Sequence, residues 1–201
     1  MTFAKRKLAR PAKKTVRTKK TELRRSILTT LKSQKEVHRT RKSKVIQEKL
    51  FSCLEFKNAK TILFYASFNG EVDTIPMIRK AKHIGKKIAL PVIQERTRTI
   101  IPSLVTRWRG ALARNSYGIP EPKKEYLHPI SKKDIDLVIV PGVAFDTKGN
   151  RLGRGKGYYD AFLKSLPRHI PTISLAFHCQ IVPRLPHRQG FDIPVDKVVY
   201  A

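Results

Sequence analysis

The sequence has two cysteines and lacks long apolar runs. Cys53 and Cys179 lie far apart and form neither a Cys-x-x-Cys motif nor a Cys/His cluster. This spacing argues against a disulfide framework and a structural zinc site, and it fits a reducing cytoplasm. No apolar segment approaches the length of a membrane span, and the Lys- and Arg-rich start lacks the apolar core of a secretory signal. We therefore expect a cytoplasmic protein without a membrane segment.

Acidic residues are also scarce. The 201 residues contain 15 Asp and Glu against 43 Lys and Arg, a formal net charge of +28. Residues 1–50 alone hold 18 Lys and Arg and 3 Asp and Glu. Such a charge attracts polyanions, which include nucleic acids, acidic membrane surfaces and highly charged small substrates. The sequence leaves open whether the charge serves a partner, solubility or a general composition bias.

The chain divides into a short arm and one domain. Residues 1–19 are polar, low in aromatic residues and interrupted by Pro11, so we predict a disordered basic arm. Residues 20–201 are long enough for a single domain with a sizeable core. Within it, Thr21 is the predicted N-cap of a first amphipathic helix, and Val37–Leu54 is the predicted second helix.

The rest of the domain alternates apolar strands with helices. The predicted strands are Thr61–Ala66, Lys87–Ile93, Thr99–Val105, Asp136–Val140, Thr172–Phe177 and Lys197–Tyr200. A helix capped by Asp73 or Thr74 is predicted to end at Ile84, and another covers Tyr158–Leu166, whereas Trp108–Pro129 is predicted to be irregular. This alternation predicts a three-layer α/β fold: a mostly parallel sheet, helices on both faces and a helical N-terminal segment.

The most unusual stretch is RLGRGKGYYD at Arg151–Asp160. Three glycines at alternate positions weaken any helix or strand, but they let backbone N–H groups approach a ligand closely. Arg154 and Lys156 lie between the glycines, so the expected ligand is an anion. The stretch follows a buried strand and opens a helix, which is where parallel sheets bind phosphate.

Two common phosphate motifs do not fit this stretch. A Walker A loop would need Gly at Asn150 and a hydroxyl residue at Gly157, and a dinucleotide fingerprint would need GxGxxG after the first strand. A glycine turn with solvated charges is the plain alternative. Asp160 would then be an ordinary acid in the first turn of a helix, whereas beside bound phosphates it would be a magnesium ligand.

The segment PGVAFDTKGNRLGRGKGYYD at Pro141–Asp160 closely resembles the signature of the 5-formyltetrahydrofolate cyclo-ligase family, also called methenyltetrahydrofolate synthetases. The resemblance covers roughly residues 20–200 and leaves out the basic arm. The other segments that resemble the family are KTELR (Lys20–Arg24), FYASFNGEVDT (Phe64–Thr74), GIPEP (Gly118–Pro122), LAFHCQ (Leu175–Gln180) and FDIPVDKVVY (Phe191–Tyr200).

The resemblance implies an ATP- and Mg²⁺-dependent enzyme. It would convert 5-formyltetrahydrofolate, with or without a polyglutamate tail, to 5,10-methenyltetrahydrofolate, with release of ADP and phosphate. Transfer of the γ-phosphoryl group to the formyl oxygen would make that oxygen a good leaving group. Such a transfer asks the protein chiefly for in-line positioning and charge neutralisation. We expect the enzyme to be a monomer.

The resemblance also implies which residues form the site. Arg154 and Lys156 would be catalytic, and Asp160 and Asp192 would hold Mg²⁺. ATP would be bound by Lys20, Arg24, Arg151, Leu152, Gly153, Arg154, Gly155, Lys156, Gly157, Tyr158 and Tyr159. The folate would be bound by Ala66, Glu71, Tyr117, Arg154, Gly155, Lys156, Gly157 and Tyr158.

Several of these residues also have plain structural interpretations. Lys20 and Arg24 could belong to a solvated helix face, Tyr117 could be a core tyrosine, and His178 is better explained as a structural histidine than as a proton carrier. A second function class also stays open: a nucleic-acid-binding or ribosome-associated protein anchored by its basic arm. Against it, the sequence has no RNP-like aromatic pair and no helix-turn-helix signal.

Overall fold

The structure, a computed structural model, describes residues 15–107, 110, 112–114, 118, 120–186 and 190–201. The helices are α1 (Val16–Ser33), α2 (Glu36–Ser52), α3 (Leu54–Asn58), α4 (Ile75–His83) and α5 (Tyr158–Lys164). The strands are β1 (Thr61–Leu63), β2 (Lys87–Gln94), β3 (Thr99–Leu104), β4 (Leu112–Arg114), β5 (Pro120–Pro122), β6 (Leu137–Val140), β7 (Ala144–Phe145), β8 (Arg151–Leu152), β9 (Thr172–Ala176) and β10 (Lys197–Tyr200). None of the described helices is long and apolar enough to cross a membrane.

The largest sheet in the described part of the chain has six strands in the order β10-β9-β6-β1-β2-β3. Neighbouring strands are parallel, except that β3 runs antiparallel to β2 at the edge. The predicted mostly parallel sheet is therefore confirmed. The chain leaves β1 toward β2 and β3 and later returns to β6 on the other side, so the strand order reverses between β1 and β6. Ligands of parallel sheets bind at the carboxyl ends of strands flanking such a reversal.

Both faces of the sheet are buried. Ile62 of β1 and Ile139 of β6 pack in one core cluster with residues of α1, α2, α3 and α4. Their sequence neighbours Leu63 and Val140 pack in a second cluster with α5 residues such as Phe162. Since successive side chains of a strand point to opposite faces, helices cover both sides of the sheet. This arrangement confirms the predicted three layers.

The first helix begins earlier than the sequence indicated. α1 begins at Val16 with Thr15 as its N-cap, so the prediction of Thr21 as the N-cap is wrong. Residues 16–19, which we assigned to the basic arm, are helical. This turn carries a single apolar residue, so it shows no hydrophobic periodicity. The rest of the predicted arm, residues 1–14, lies outside the described residues.

Other boundaries differ where elements are short. The predicted helix Val37–Leu54 corresponds to α2, which ends at Ser52; Leu54 begins the separate short helix α3. The predicted strand Thr61–Ala66 stops at Leu63. The stretch that we predicted to be irregular contains the β4–β5 pair, and the β7–β8 pair was not predicted at all. Strands of two or three residues are too short to produce a readable alternation.

Candidate active site

A cavity of about 1150 Å³ opens at the carboxyl ends of β1 and β6. Tyr65 and Ala66 line it just after β1, and Pro141 and Gly142 line it just after β6. The cavity thus lies where the strand order reverses. This volume lies just above the roughly 300–1,000 Å³ usual for the site of one drug-sized ligand.

The predicted site residues come together in this cavity. Those that line it are Lys20, Arg24, Ala66, Glu71, Arg151, Leu152, Gly153, Arg154, Gly155, Lys156, Gly157, Tyr158, Tyr159, Asp160 and Asp192. They come from α1, the segment after β1, β8 with the loop that follows it, α5 and the segment before β10. Residues from near the two ends of the chain, such as Lys20 and Asp192, thus lie at the same edge of the sheet. The role of each residue stays a prediction.

The glycine-rich loop connects β8 to α5. Gly157 is the N-cap of α5 and has φ +78°, and Gly155 has φ +97°. Residues with a side chain rarely adopt these values, so glycine is required at both positions. Arg154, Gly155, Lys156 and Gly157 are exposed to solvent. The loop therefore presents its backbone and two cations to the cavity.

Arg154 and Glu71 form an ion pair across the cavity. The Arg154 Nη2 and Nε atoms donate to Glu71 Oε1 at 2.8 and 3.2 Å, and the guanidinium lies 4.2 Å from the centre of the Phe68 ring. Only 7% of the Glu71 side chain is exposed. Burial raises the pKa of Glu71, and the Arg154 charge opposes this effect. The pair joins the glycine loop to the segment predicted to bind the pterin.

The two predicted metal ligands are also held in ion pairs. Asp160 Oδ1 accepts from Arg151 Nη2 at 2.6 Å, and Asp192 Oδ2 is in direct contact with Lys20 Nζ. No cluster of three or more His, Cys, Asp or Glu residues suited to a metal occurs in the described ranges. The two carboxylates line the same cavity as the loop predicted to bind phosphate, and Mg²⁺ prefers one or two carboxylates completed by phosphate oxygens and water.

α1 contacts the glycine loop directly. Arg24 Nε donates to the carbonyl oxygen of Gly153 at 2.8 Å, and the Arg24 guanidinium lies beside Gly155. Lys20 is one helical turn earlier on the same face and reaches Asp192. Neither residue is a freely solvated part of a helix face, and both place positive charge at the loop.

Two tyrosines form part of the inner wall. The pKa of Tyr65 is raised well above its usual value by burial, and burial also raises that of Tyr159. The Tyr159 hydroxyl is buried and has no hydrogen-bond partner among the described residues. Its ring lies 6.0 Å from the Arg151 guanidinium and packs edge-on to Phe162. Both residues line the cavity.

Two other candidates are placed differently. Tyr117 lies outside the described residues. His178 is exposed, packs edge-on against Tyr200 and is absent from the lining of the cavity. His178 therefore lies outside the candidate active site, and its role as a structural histidine stays a prediction.

Sequence reasoning missed several residues that line the cavity. Phe68 and Asn69 lie in the quoted segment FYASFNGEVDT, but nothing in the pattern singled them out. Arg17 was assigned to the arm, and Phe191 was quoted only as part of the C-terminal segment. Phe191 is 66% exposed, which is unusual for a large apolar side chain and could be found only from the structure.

Known proteins are similar to this chain over most of its length. The sequence model of the 5-formyltetrahydrofolate cyclo-ligase family matches residues 16–201. The chain belongs to this family. A 5-formyltetrahydrofolate cyclo-ligase of Mus musculus is 32% identical over 194 residues, covering 92% of this chain and 95% of the relative. A 5-formyltetrahydrofolate cyclo-ligase of Escherichia coli K12 is 36% identical over 143 residues, covering 70% of this chain and 78% of the relative.

A solved structure is similar over nearly the whole cyclo-ligase domain. The NMR structure of the Aquifex aeolicus 5,10-methenyltetrahydrofolate synthetase has a TM-score of 0.78 and 35% identity, and covers 90% of this chain and 89% of its own. The resemblance described from the sequence is thus confirmed, and so is the α/β fold. The comparisons give no support to a nucleic-acid-binding protein as the alternative. The family match also begins at Val16, where α1 begins.

Proposed function

We propose that this cyclo-ligase uses ATP to close 5-formyltetrahydrofolate to 5,10-methenyltetrahydrofolate in the cavity at the carboxyl ends of β1 and β6. The observation that carries the proposal is the Arg154–Glu71 ion pair. It joins a cationic glycine loop, suited to phosphate, to a buried carboxylate, suited to the polar edge of a pterin. The formyl group and the γ-phosphate would meet where these two residues meet.

The chemistry requires two bond exchanges. The formyl oxygen attacks the γ-phosphorus, and the bond from that phosphorus to ADP breaks. N10 then attacks the formyl carbon and loses its proton, and the carbon–oxygen bond breaks as inorganic phosphate departs. The first exchange moves negative charge between oxygens, so cations fixed beside the phosphates lower its barrier.

Each cation of the loop has a suitable form for this task. Arg154 presents a planar fork to phosphate oxygens, and Lys156 presents a compact charge. Lys20 and Arg24 on α1 would bind the nucleotide phosphates from the other side of Gly153. The direct contact of Arg24 with the Gly153 carbonyl supports this placement, because it puts the guanidinium against the loop.

Glu71 and Ala66 would form the folate side of the cavity. A carboxylate can accept hydrogen bonds from the amino and N–H groups along the edge of a pterin. Glu71 Oε2 also accepts from the backbone N–H of Phe68 at 3.3 Å, which fixes the orientation of the carboxylate. Binding of the pterin edge would compete with Arg154 for Glu71, and the freed guanidinium could then turn to the phosphate.

Asp160 and Asp192 are the residues that would hold Mg²⁺. The ion supplies charge neutralisation on the phosphate oxygens when it is bound with ATP. Asp192 contacts Lys20 in the structure, so the proposal requires that Lys20 exchange this carboxylate for a phosphate group. Each side chain would then keep an oppositely charged partner: a phosphate group for Lys20 and the Mg²⁺ ion for Asp192.

We place the enzyme in the cytoplasm as a monomer. Cys53 and Cys179 are free, which fits a reducing compartment. One chain supplies all the residues named for both substrates, which supports a catalytic monomer. The basic residues 1–14 would attract polyanions such as a polyglutamate tail or nucleic acid, without a part in the reaction.

The direct test is formation of methenyltetrahydrofolate, followed by its absorbance, with purified protein, 5-formyltetrahydrofolate, ATP and Mg²⁺. We expect product only when nucleotide and metal are both present. Product formed at the full rate without nucleotide, or none under any combination of metal and nucleotide, would contradict the proposal.

A further inference from the structure

We propose that Arg151 is a positioning residue for the carboxylate of Asp160 and does not bind ATP, although it lies in the segment that resembles the nucleotide site. The inference rests on the proposed function only in taking Asp160 as a metal ligand. Arg151 would hold this carboxylate in one orientation, so that the metal ion meets a prepared ligand.

The first argument is burial. Only 2% of the Arg151 side chain is exposed, whereas Arg154, three residues later, is 32% exposed. Its guanidinium is held on several sides: Nη2 donates to Asp160 Oδ1 at 2.6 Å, Nη1 donates to the Pro141 carbonyl at 3.3 Å, and the group lies over the Tyr159 ring. The buried Nε has no hydrogen-bond partner among the described residues, but at 2% exposure the side chain offers almost no surface to a phosphate oxygen.

The second argument comes from the surrounding glycines. A Cβ atom at Gly153 would lie 2.9 Å from Arg151 Nη1, its nearest neighbour, whereas one at Gly142 would meet the Phe145 ring at 2.5 Å and Arg151 Cγ at 3.0 Å. Real Cβ atoms are essentially never found as close as the first distance. Gly153 therefore makes room for the buried Arg151 side chain, whereas Gly142 makes room mainly for the Phe145 ring. In contrast, Gly157 has nothing within 4 Å of its Cβ position, so space for a neighbour does not explain that glycine.

The third argument is the geometry of the Asp160 carboxylate. The hydrogen bonds that described residues make to Asp160 both end on Oδ1: the bond from Arg151 and a longer one from the Ile193 N–H at 3.5 Å. No described residue donates a hydrogen bond to Oδ2, which is the oxygen that we assign to the metal. Arg151 also lies in the field of Asp192, so one buried cation attracts both predicted metal ligands.

Groups that orient metal ligands in this way affect metal affinity strongly. Removing such a partner typically weakens metal binding about 10–100-fold. Loss of a direct phosphate contact would instead weaken ATP binding even when the metal is saturating. The two roles of Arg151 can therefore be separated by measuring metal affinity and nucleotide affinity independently.

The test uses two variants. R151M keeps most of the bulk of the side chain without its charge, and R151K keeps the charge without the planar guanidinium and its paired N–H donors. Mn²⁺ binding to the full-length protein with ADP is measured by electron paramagnetic resonance, and KM for ATP is measured at saturating Mg²⁺. K197M is the matched control, because it removes a different cation–carboxylate pair, Lys197–Glu55.

We expect R151M to lose about 10–100-fold in Mn²⁺ affinity and to keep its KM for ATP at saturating metal, with R151K intermediate and K197M unchanged. In a D160N background, R151M should cause little further loss of Mn²⁺ affinity. A raised KM for ATP with normal Mn²⁺ affinity would make Arg151 a nucleotide ligand. A lower unfolding midpoint alone, with both affinities normal, would make it purely structural. Either result overturns the proposal.

If R151M does not fold, R151K decides the question by the same two affinities. The failure of the proposed function would look different. Wild-type protein would then form no methenyltetrahydrofolate, whatever the Mn²⁺ affinities of the Arg151 variants.

Discussion

At the scale of single residues, Arg154 and Lys156 are the groups expected to act on the transferred phosphoryl. We predict that R154A and K156A each lower kcat by about 10²-fold or more, because one fixed charge next to the developing negative charge is lost. K133A, at an exposed lysine in the short 3₁₀ helix Lys132–Asp134, is the control and should keep its kcat. Near-normal kcat in both folded loop variants would mean that the loop is structural.

Glu71 gives a prediction on pH. Burial raises its pKa in the folded state, so the folded state binds this proton more tightly than the unfolded chain does. The corresponding stability is present at acid pH and is lost as the pH rises through the folded pKa. Relative to E71Q, the wild-type free energy of unfolding should therefore fall as the pH rises above about 4.3, the ordinary value for Glu.

Urea unfolding at a series of pH values measures this difference, with E48Q as the control at an exposed glutamate. A wild-type advantage in unfolding free energy over E71Q that grows with pH would show that the Arg154 charge outweighs burial.

The E71Q variant should also bind 5-formyltetrahydrofolate more weakly, because a carboxylate acceptor for the pterin edge is lost.

The residues of the site were predictable to different degrees. The loop cations could be found from the local sequence pattern, because three glycines that alternate with two cations indicate an anion site. Glu71 and Asp192 were found only through the resemblance, since an acid in a loop carries no local signal. The pairing of Arg24 with Gly153 joins residues 129 positions apart, and no pattern in one sequence shows such a contact.

At the scale of elements, the β7–β8 pair holds the glycine loop in place. Gly149 lies in its turn with φ +76°, and its carbonyl accepts from the Val195 N–H at 2.9 Å. A Cβ at Gly149 would lie 2.2 Å from the Val195 carbonyl oxygen. Gly85 also has a positive φ, +85°, but nothing lies within 4 Å of a Cβ atom placed on it. Gly85 is therefore a matched control.

We predict that G85A costs about 1–2 kcal/mol of unfolding free energy, the cost of a left-handed conformation with a side chain. G149A should cost clearly more, because the Val195 carbonyl must also move. Chemical unfolding of both variants measures the difference. Equal losses would show that the contact between the turn and the chain before β10 adds nothing.

The long buried strands were predictable because both of their faces are covered. A parallel strand buried on both sides reads as a continuous apolar run, and the sequence around β6 has this form. The strands β7 and β8 have two residues each and carry no such run. Asp146 fixes their turn by accepting from Lys148, Asn150 and Leu185, a set of contacts that the sequence does not reveal.

At the scale of the whole molecule, the basic arm and the catalytic domain should be separable. Residues 1–14 carry six Lys and Arg and no acid, and α1 with Arg17 begins after them. We predict that deleting residues 1–14 leaves kcat unchanged, because no proposed site residue is removed. Affinity for a polyglutamylated substrate should fall at low salt and recover as salt is raised, since exposed charges are screened within about 8–10 Å.

Cyclisation kinetics and nucleic-acid binding, each measured against salt for full-length and shortened protein, test this separation. A shortened protein without activity would place the arm in the active site. Salt-dependent binding of RNA or DNA that weakens on deletion would give the arm a second role, which the charge permits and the reaction does not require.

The central claim is that the loop transfers a phosphoryl group to the formyl oxygen of the folate. The most direct measurement uses 5-formyltetrahydrofolate with ¹⁸O in the formyl group, ATP and Mg²⁺, and follows the label by mass spectrometry of the inorganic phosphate. The account predicts one ¹⁸O atom in each phosphate released, in step with methenyltetrahydrofolate. Unlabelled phosphate, with the ¹⁸O found in water, would contradict it.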